Sequence, residues 1–374
     1  MEFVATCAFG IEAVLKREMT LLGLNITRSE NGKIYFEGNQ EAMVLANLAL
    51  RTAERIFIVF GHQKVLTYDE LFDFIKSIKF RPILSHEGAY LIQAKTVQSQ
   101  LFSPRDLQTI TKKALIENLK VSFKVDTFLE QKERYRFLLN LQKDECELWL
   151  DTSGEALHKR GYRVKQGVAP IKETLAAALV LLSFYEKDRV LYDPFCGSGT
   201  IPIEAAMICK NMAPNLNRSF DFLHFPWFDK TIYKQVKAEL LKAINQTETC
   251  KIIASDEDPR AVEMAEENAI EAGVDDAIVF QLCKFEHQQF KIPYGIIITN
   301  PPYGERLDTL EEAELLYRSI GQTFKTLKDY SLYMITSYPG IEGIFAKKAD
   351  KTRVLFNGNI KARYYQYFGP RPPR

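Results

Sequence analysis

Asn300-Pro301-Pro302-Tyr303 is the segment whose residue types most narrowly define a chemistry. Two successive prolines fix the backbone and remove two amide donors. That leaves carbonyl oxygens, beside the Asn300 amide oxygen, to accept hydrogen bonds from an –NH2 group. Tyr303 offers a flat face on which a nucleobase can stack, worth roughly 1–3 kcal/mol. An exocyclic amine is a poor nucleophile because its lone pair is delocalised into the ring. Holding both its hydrogens on fixed acceptors favours a pyramidal nitrogen and aims it at an electrophile. No strong base is needed before attack, because the proton can leave afterwards. The plainer alternative is a Pro-Pro turn that closes a strand.

A second segment, Asp193-Pro194-Phe195-Cys196-Gly197-Ser198-Gly199-Thr200, lies between an apolar strand and a helix, where ligand loops belong. Gly197 and Gly199 let the backbone turn tightly and approach a ligand closely. The segment lacks Gly-x-x-x-x-Gly-Lys-Ser/Thr, which excludes a nucleoside-triphosphate loop. A dinucleotide loop needs a third glycine, and Ile201, Pro202 and Ile203 stand there instead. An acid ahead of the glycines suits a ligand with positive charge. S-adenosylmethionine, with an α-amino group and a sulfonium, is such a ligand, and Asp193 can pair with the amine. A merely structural glycine turn is the alternative.

A third segment, Ala254-Ser255-Asp256-Glu257-Asp258, again ends an apolar strand. A carboxylate here can accept both ribose hydroxyls of a nucleoside, and Asp256 is the candidate. Asp256 or Asp258 could instead cap the helix beginning at Pro259, whose missing donor suits a first helical turn.

Elements positioning these loops are legible from periodicity. From Glu173 onward helices alternate with short apolar strands: helix 173–185, strand 190–192, helix 201–209, an aromatic insertion around 220–227, strand 251–254, helix 259–272, strands 277–282 and 295–299, helix 311–327, strand 331–336, and two late strands near 353–356 and 362–368. Such repeats predict a doubly wound, mainly parallel sheet with ligands at the carboxyl ends of its strands. The first half reads differently. Strand 3–6, helix 10–22 with Gly23 as its terminating residue, strand 34–36, helix 42–51 and strand 56–60 suggest a small α+β unit. Helix 68–78, strand 89–94, helix 105–118 and a hairpin of 137–141 with 145–150 repeat that style, with no catalytic constellation. The run His158-Lys159-Arg160-Gly161-Tyr162-Arg163-Val164-Lys165 is either a solvated linker or a phosphate-tracking surface.

Composition narrows the class without deciding it. The 374 residues are 46% hydrophobic and 26% charged, the balance of a soluble globular chain of two or three domains. No apolar run approaches the roughly 18–20 residues needed to span a membrane, and no signal peptide opens the chain, so a cytoplasmic protein without membrane contact is expected. Six scattered cysteines without a Cys-x-x-Cys pair predict reduced, mostly buried thiols and no metal site. Net charge is +1, split as +3 over residues 1–165 and −2 over the rest, so any nucleic-acid surface must be a local patch.

At these residues the chain resembles the class I S-adenosylmethionine-dependent methyltransferases. More closely, Gly161-Tyr162-Arg163, Ala169 to Ala177, Asp193 to Thr200 with Ile203-Glu204-Ala205-Ala206, and Asn300 to Leu307 look like the THUMP-domain RNA guanine-N2 methyltransferases. The resemblance covers nearly the whole chain and implies three parts. These are a ferredoxin-like domain over 1–64, a THUMP RNA-binding domain over 65–155, and a Rossmann-like class I methyltransferase domain over 156–374. It implies S-adenosylmethionine held by Asp193, Pro194, Cys196, Gly197, Ser198, Gly199, Thr200, Asp256 and Asn300. It implies a target amine held by Asn300, Pro301, Pro302 and Tyr303, and RNA as the partner, with large-subunit (23S) rRNA or a partly assembled subunit as substrate. A second methyltransferase domain, present in some members, is not expected. One departure stands out: many relatives of the broad class carry an acid near the adenine, where this chain has Gln281-Leu282-Cys283-Lys284-Phe285-Glu286. Adenine-N6 methylation of RNA or DNA fits the same amine motif. A non-catalytic ribosome-assembly protein is the alternative of another class, and the intact loops argue against it.

Overall fold

The structure is a computed structural model that describes all residues except 129–131, 164–169, 303–309, 359 and 374, and of Leu310 its backbone only. Its first half contains β1 (Glu2–Thr6), α1 (Glu12–Leu21), β2 (Asn25–Glu30), β3 (Lys33–Glu37), α2 (Gln40–Ala49), β4 (Arg55–Lys64), α3 (Tyr68–Ser77), β5 (Ala89–Val97), α4 (Pro104–Phe123), β6 (Arg134–Gln142) and β7 (Glu145–Asp151). The second half contains α5 (Glu173–Leu182), β8 (Leu191–Asp193), α6 (Thr200–Cys209), α7 (Lys230–Lys242), β9 (Ile252–Asp256), α8 (Pro259–Ala272), β10 (Ile278–Leu282), β11 (Ile296–Thr299), α9 (Leu310–Thr326), β12 (Ser331–Thr336), α10 (Ile341–Phe345), β13 (Lys351–Asn357) and β14 (Ile360–Tyr367).

Local chemistry explains the boundaries that matter. Thr67 and Glu70 form a reciprocal capping box at the start of α3, and Leu71, Phe74 and Ile75 then bury its inner face. Asp258 caps α8, Pro259 occupies its first turn, and Gly273 at φ +69° ends it. Strands β1, β3 and β4 alternate between two faces, with Phe3, Ile34, Ile56 and Ile58 in the main core and Val4, Tyr35, Phe57 and Val59 on the opposite face.

The first half forms one seven-stranded sheet, ordered β2-β3-β1-β4-β7-β6-β5. The expected division at residue 64 falls at the end of β4, whose pairings with β1 and β7 join the two units into that sheet. The second half forms the doubly wound, mainly parallel sheet that the alternation predicts, ordered β10-β9-β8-β11-β12-β14-β13. Helices α5, α6 and α8 cover one face, and α9 and α10 the other. The chain leaves β8 outward to β9 and β10, then returns to β11 and β12. The strand order therefore reverses between β8 and β11, and ligands of such sheets bind at that reversal.

Two expectations need correction. Cys209 and Cys250 are disulfide-bonded, with Cα atoms 6.2 Å apart, rather than reduced thiols. Cys209, at the end of α6, and Cys250, just before β9, are 41 residues apart in sequence and meet only in the fold, so spacing alone could not reveal the pair. Cys7, Cys146, Cys196 and Cys283 are free. In its described part the basic run at 158–165 is mostly turned inward rather than a solvated linker or a phosphate surface, with Lys159 alone of its described cations exposed, beside Glu155. Arg160 is 2% exposed and bonds Glu204 of α6, Asn215 and the carbonyls of Leu157 and Arg51. Arg163 is directed inward as well. Val164 and Lys165 lie outside the described residues. No described helix is long and apolar enough to cross a membrane.

Candidate active site

At the carboxyl ends of the parallel strands a cleft of about 810 Å³ opens between the loops that follow β8, β9, β10 and β11. Asp193 is the last residue of β8, and Thr299 the last of β11. The Thr299 hydroxyl donates to Asp193 Oδ1 at 2.7 Å, tying the two strands across the reversal point. The Phe195 N–H donates to the same oxygen at 3.3 Å. Burial raises the Asp193 carboxyl, and the nearby Asp256 adds to this, against these two hydrogen bonds; the result is a pKa of about 7.

The glycine loop is held from β9 and α8. Gly197, at φ +52°, donates its N–H to Asp256 Oδ2 at 2.9 Å. The Cys196 N–H donates to the Ser255 carbonyl at 2.9 Å, and Asn268 of α8 donates to the Ser198 carbonyl at 3.0 Å. Gly199 precedes α6 at φ +79°, and a Cβ there would stand 2.9 Å from the Ala265 Cβ. Only glycine meets both demands. Thr200 is buried at the start of α6, where Arg163 Nη2 donates to its hydroxyl and to the Ile171 carbonyl, each at 2.9 Å.

Of the residues singled out in the sequence, Asp193, Pro194, Cys196, Gly197, Ser198, Thr200, Asp256, Asn300 and Pro302 share this one cleft. Gly199 supports the loop from beneath, and Pro301 is buried behind it. Tyr303 lies outside the described residues. The choice between Asp256 and Asp258 as helix cap is resolved: Asp258 caps α8 by accepting the Arg260 N–H at 3.0 Å, and both carboxylates line the cleft.

Sequence reasoning passed over several wall residues. Phe195 and Phe285 stack at 5.2 Å, and Ile171, Met264, Cys283 and Glu286 also line the cleft. Cys283, Phe285 and Glu286 belong to the stretch set apart in the sequence as a departure from the broad class, and Glu286 puts an acid on the cleft wall there. Tyr317 of α9 was also unforeseen: its hydroxyl lies 2.6 Å from Thr336 Oγ1 and reaches the Pro302 carbonyl at 3.4 Å. A lone Tyr on an amphipathic helix gives no signal distinguishing it from core. Among the described residues no three His, Cys, Asp or Glu side chains converge as a metal would require.

The RMKL-like methyltransferase domain matches residues 160–366, and the RlmL ferredoxin-like domain matches residues 2–57. A Bacillus subtilis (strain 168) protein named "Putative RNA methyltransferase YpsC" is 44% identical over 99% of this chain and 97% of its own. The chain belongs to the RMKL-like methyltransferase family. Two solved structures extend the family likeness over the whole molecule. One, from Listeria monocytogenes str. 4b F2365, is described as a "predicted N6-adenine-specific DNA methylase". It is 42% identical with a TM-score of 0.94, covering 99% of this chain and 96% of that one. The other, "SMU.472, a putative methyltransferase complexed with SAH", is 38% identical with a TM-score of 0.94, covering 100% and 99%.

The cleft of this RMKL-like chain fits S-adenosylmethionine, the cofactor of its fold. Its lining combines the buried Asp193 carboxylate, a glycine loop that allows close backbone approach, a second carboxylate at the end of β9 and an apolar wall of stacked phenylalanines, the mix of polar and apolar surface that a nucleoside-type ligand needs.

Proposed function

We propose that this protein methylates the exocyclic N2 amine of a guanine in RNA, with large-subunit rRNA, free or in a partly assembled subunit, as the substrate. The observation that carries the reading is the shared cleft. Asn300 and Pro302, the amine-type acceptors, line the same cavity as Asp193, the glycine loop and Asp256. S-adenosylmethionine supplies an electrophilic methyl group when bound. Asp193 would pair with its α-amino group, Asp256 would accept from its ribose, and the loop backbone would lie along it. The residues after β11 then act on the target. The Asn300 amide oxygen and a neighbouring carbonyl hold the two amine hydrogens, which localises the nitrogen lone pair and orients it toward the cofactor side. Tyr317 and Thr336 brace the Pro302 carbonyl that ends this segment.

RNA as substrate is supported by the Bacillus relative's name and by the separate N-terminal sheet. Within that sheet we assign residues 1–64 to the ferredoxin-like unit and 65–155 to a THUMP unit. Adenine N6 is the second reading, favoured by the description of the Listeria relative and by a motif that accepts any exocyclic amine.

Mass spectrometry of nucleosides from methylated RNA tests the choice: N2-methylguanosine is expected, and N6-methyladenosine alone would replace it with the second reading. Asn300→Ala should lower kcat at least about 100-fold, the scale of losing a positioned acceptor, while cofactor affinity stays nearly unchanged. Full activity in that variant would remove Asn300 from the amine site.

A further inference from the structure

Positive charge in this chain is concentrated near its end. Residues 347–363 carry six basic side chains against Asp350, a net +5 in a protein of net +1. They form much of the β13–β14 hairpin, and strand register fixes where its tip lies. Arg363 pairs with Thr336, the last residue of β12. β12 runs parallel to β11, whose end leads into Asn300. The tip therefore stands at the carboxyl ends of the strands, on the rim of the cleft. Contacts on both sides agree. Thr336 bonds Tyr317, which reaches the Pro302 carbonyl. Lys172, beside Ile171 of the cleft wall, donates its N–H to Asn357 Oδ1 at 3.3 Å.

The tip also carries aromatic surface. Phe356 pairs with Lys361, and Val354 with Arg363, so these four project from one face of the hairpin. Phe9, from the loop after β1, meets Phe356 edge-on with ring centroids 6.0 Å apart, yet is 53% exposed. A hollow of about 580 Å³ lies between Phe9, Phe356 and Lys172. Its one acid, Glu54, is already paired with His158 at 3.0 Å and Lys172 at 3.6 Å. Phe9 and Phe356 beside Lys361 and Arg363, which meet no acid among the described residues, suit single-stranded nucleic acid: bases stack on the rings and phosphates bind the cations.

We propose that the hairpin tip and Phe9 hold the single-stranded RNA that flanks the target base, with a base against Phe9 and Phe356 and phosphates on Lys361 and Arg363. This rests on the RNA reading above. The test uses the full chain with a fluorescein-labelled single-stranded RNA of mixed sequence and its DNA counterpart, binding being followed by anisotropy across a salt series. Steady-state methylation of rRNA and cofactor binding are measured alongside. Phe9→Ala should weaken RNA binding roughly tenfold. The Lys361→Ala/Arg363→Ala variant should lower the slope of log affinity against log salt by about 1.4, the share of two phosphates on a single strand. It should also raise KM for rRNA while kcat and cofactor affinity hold. Wild-type affinity, slope and KM in both variants, from an enzyme that methylates rRNA, would overturn the hairpin proposal alone. A wild-type protein that methylates only the DNA would overturn the RNA reading, and the RNA occupant of this surface with it.

Discussion

In its proposed role against the cofactor amine, Asp193 should give cofactor binding a pH dependence that the glycine loop by itself would not. Its side chain is 1% exposed, and burial holds its pKa near 7, so the carboxyl is largely neutral in acid and ionised in base. Pairing with a cationic amine requires the ionised form. Cofactor affinity should therefore rise with pH through about 7 and then level off. Calorimetric titration with S-adenosylmethionine from pH 5.5 to 8.5 measures this, and Asp193→Asn should both weaken binding and flatten the profile. A flat profile in the wild-type protein would show that the amine is held elsewhere. Asp256 makes a contrasting case. Its two oxygens already accept the N–H groups of Gly197 and Asp258, so it shapes the loop as well as facing the cleft. Asp256→Ala should weaken cofactor binding by both routes, and unchanged affinity would exclude the ribose role.

Helix α6 is anchored by a charge pair that no surface argument anticipates. The Arg160 and Glu204 side chains are 1% and 0% exposed, and Arg160 also bonds the Arg51 carbonyl of the first half. Removing one member of a buried pair leaves the other charge uncompensated, typically at 3–5 kcal/mol. Arg160→Met should lower unfolding free energy by about that amount in urea, and Arg160→Met/Glu204→Leu should recover most of it. A single variant as stable as wild type would mean that Glu204 is relieved some other way. The same pair shows what sequence could and could not reveal about elements. Periodicity placed α8 at 259–272 and β12 at 331–336, because apolar spacing and caps are local signals. It missed β2, an edge strand of mostly exposed polar residues, and α7, which buries only Val236. Three of the cleft's four loops were legible because glycine, proline and acid at strand ends are local too. Phe285 and Met264 were not, nor was Tyr317 behind Pro302, because an apolar or aromatic residue becomes part of a site only once the topology is known. The basic run was misread for a related reason: charge in sequence does not report burial.

At the scale of the molecule, the two halves share one hydrophobic core rather than meeting at a seam. Met19, Leu48 and Leu150 of the first half belong to the same buried cluster as Leu175, Ile203 and Ile278 of the second. Glu54 lies where they join. Its carboxylate pairs with His158 and Lys172 and accepts the Thr174 hydroxyl at 2.8 Å, linking the start of β4 to the start of α5 beside the cleft. Burial pushes this carboxyl up, but His158, Lys172 and Thr174 outweigh burial and hold it at about 2, against an ordinary value of 4.5. An acid with a lower pKa folded than unfolded stabilises the protein above the unfolded value and loses that contribution as pH falls through the folded one. Glu54 thus contributes fully above about pH 4.5, on the order of 3 kcal/mol, and progressively less toward pH 2. Glu54→Gln should be less stable than wild type by that amount at pH 7, and the gap should close as pH drops from about 4.5. Because the core is continuous, both proteins should unfold in one cooperative transition, and a fragment lacking residues 1–150 should not fold. Urea melts monitored by near- and far-ultraviolet circular dichroism from pH 7 to 3 measure both points. Two resolved transitions, with only one sensitive to Glu54→Gln, would mean that the halves fold independently and that Glu54 only orients one against the other.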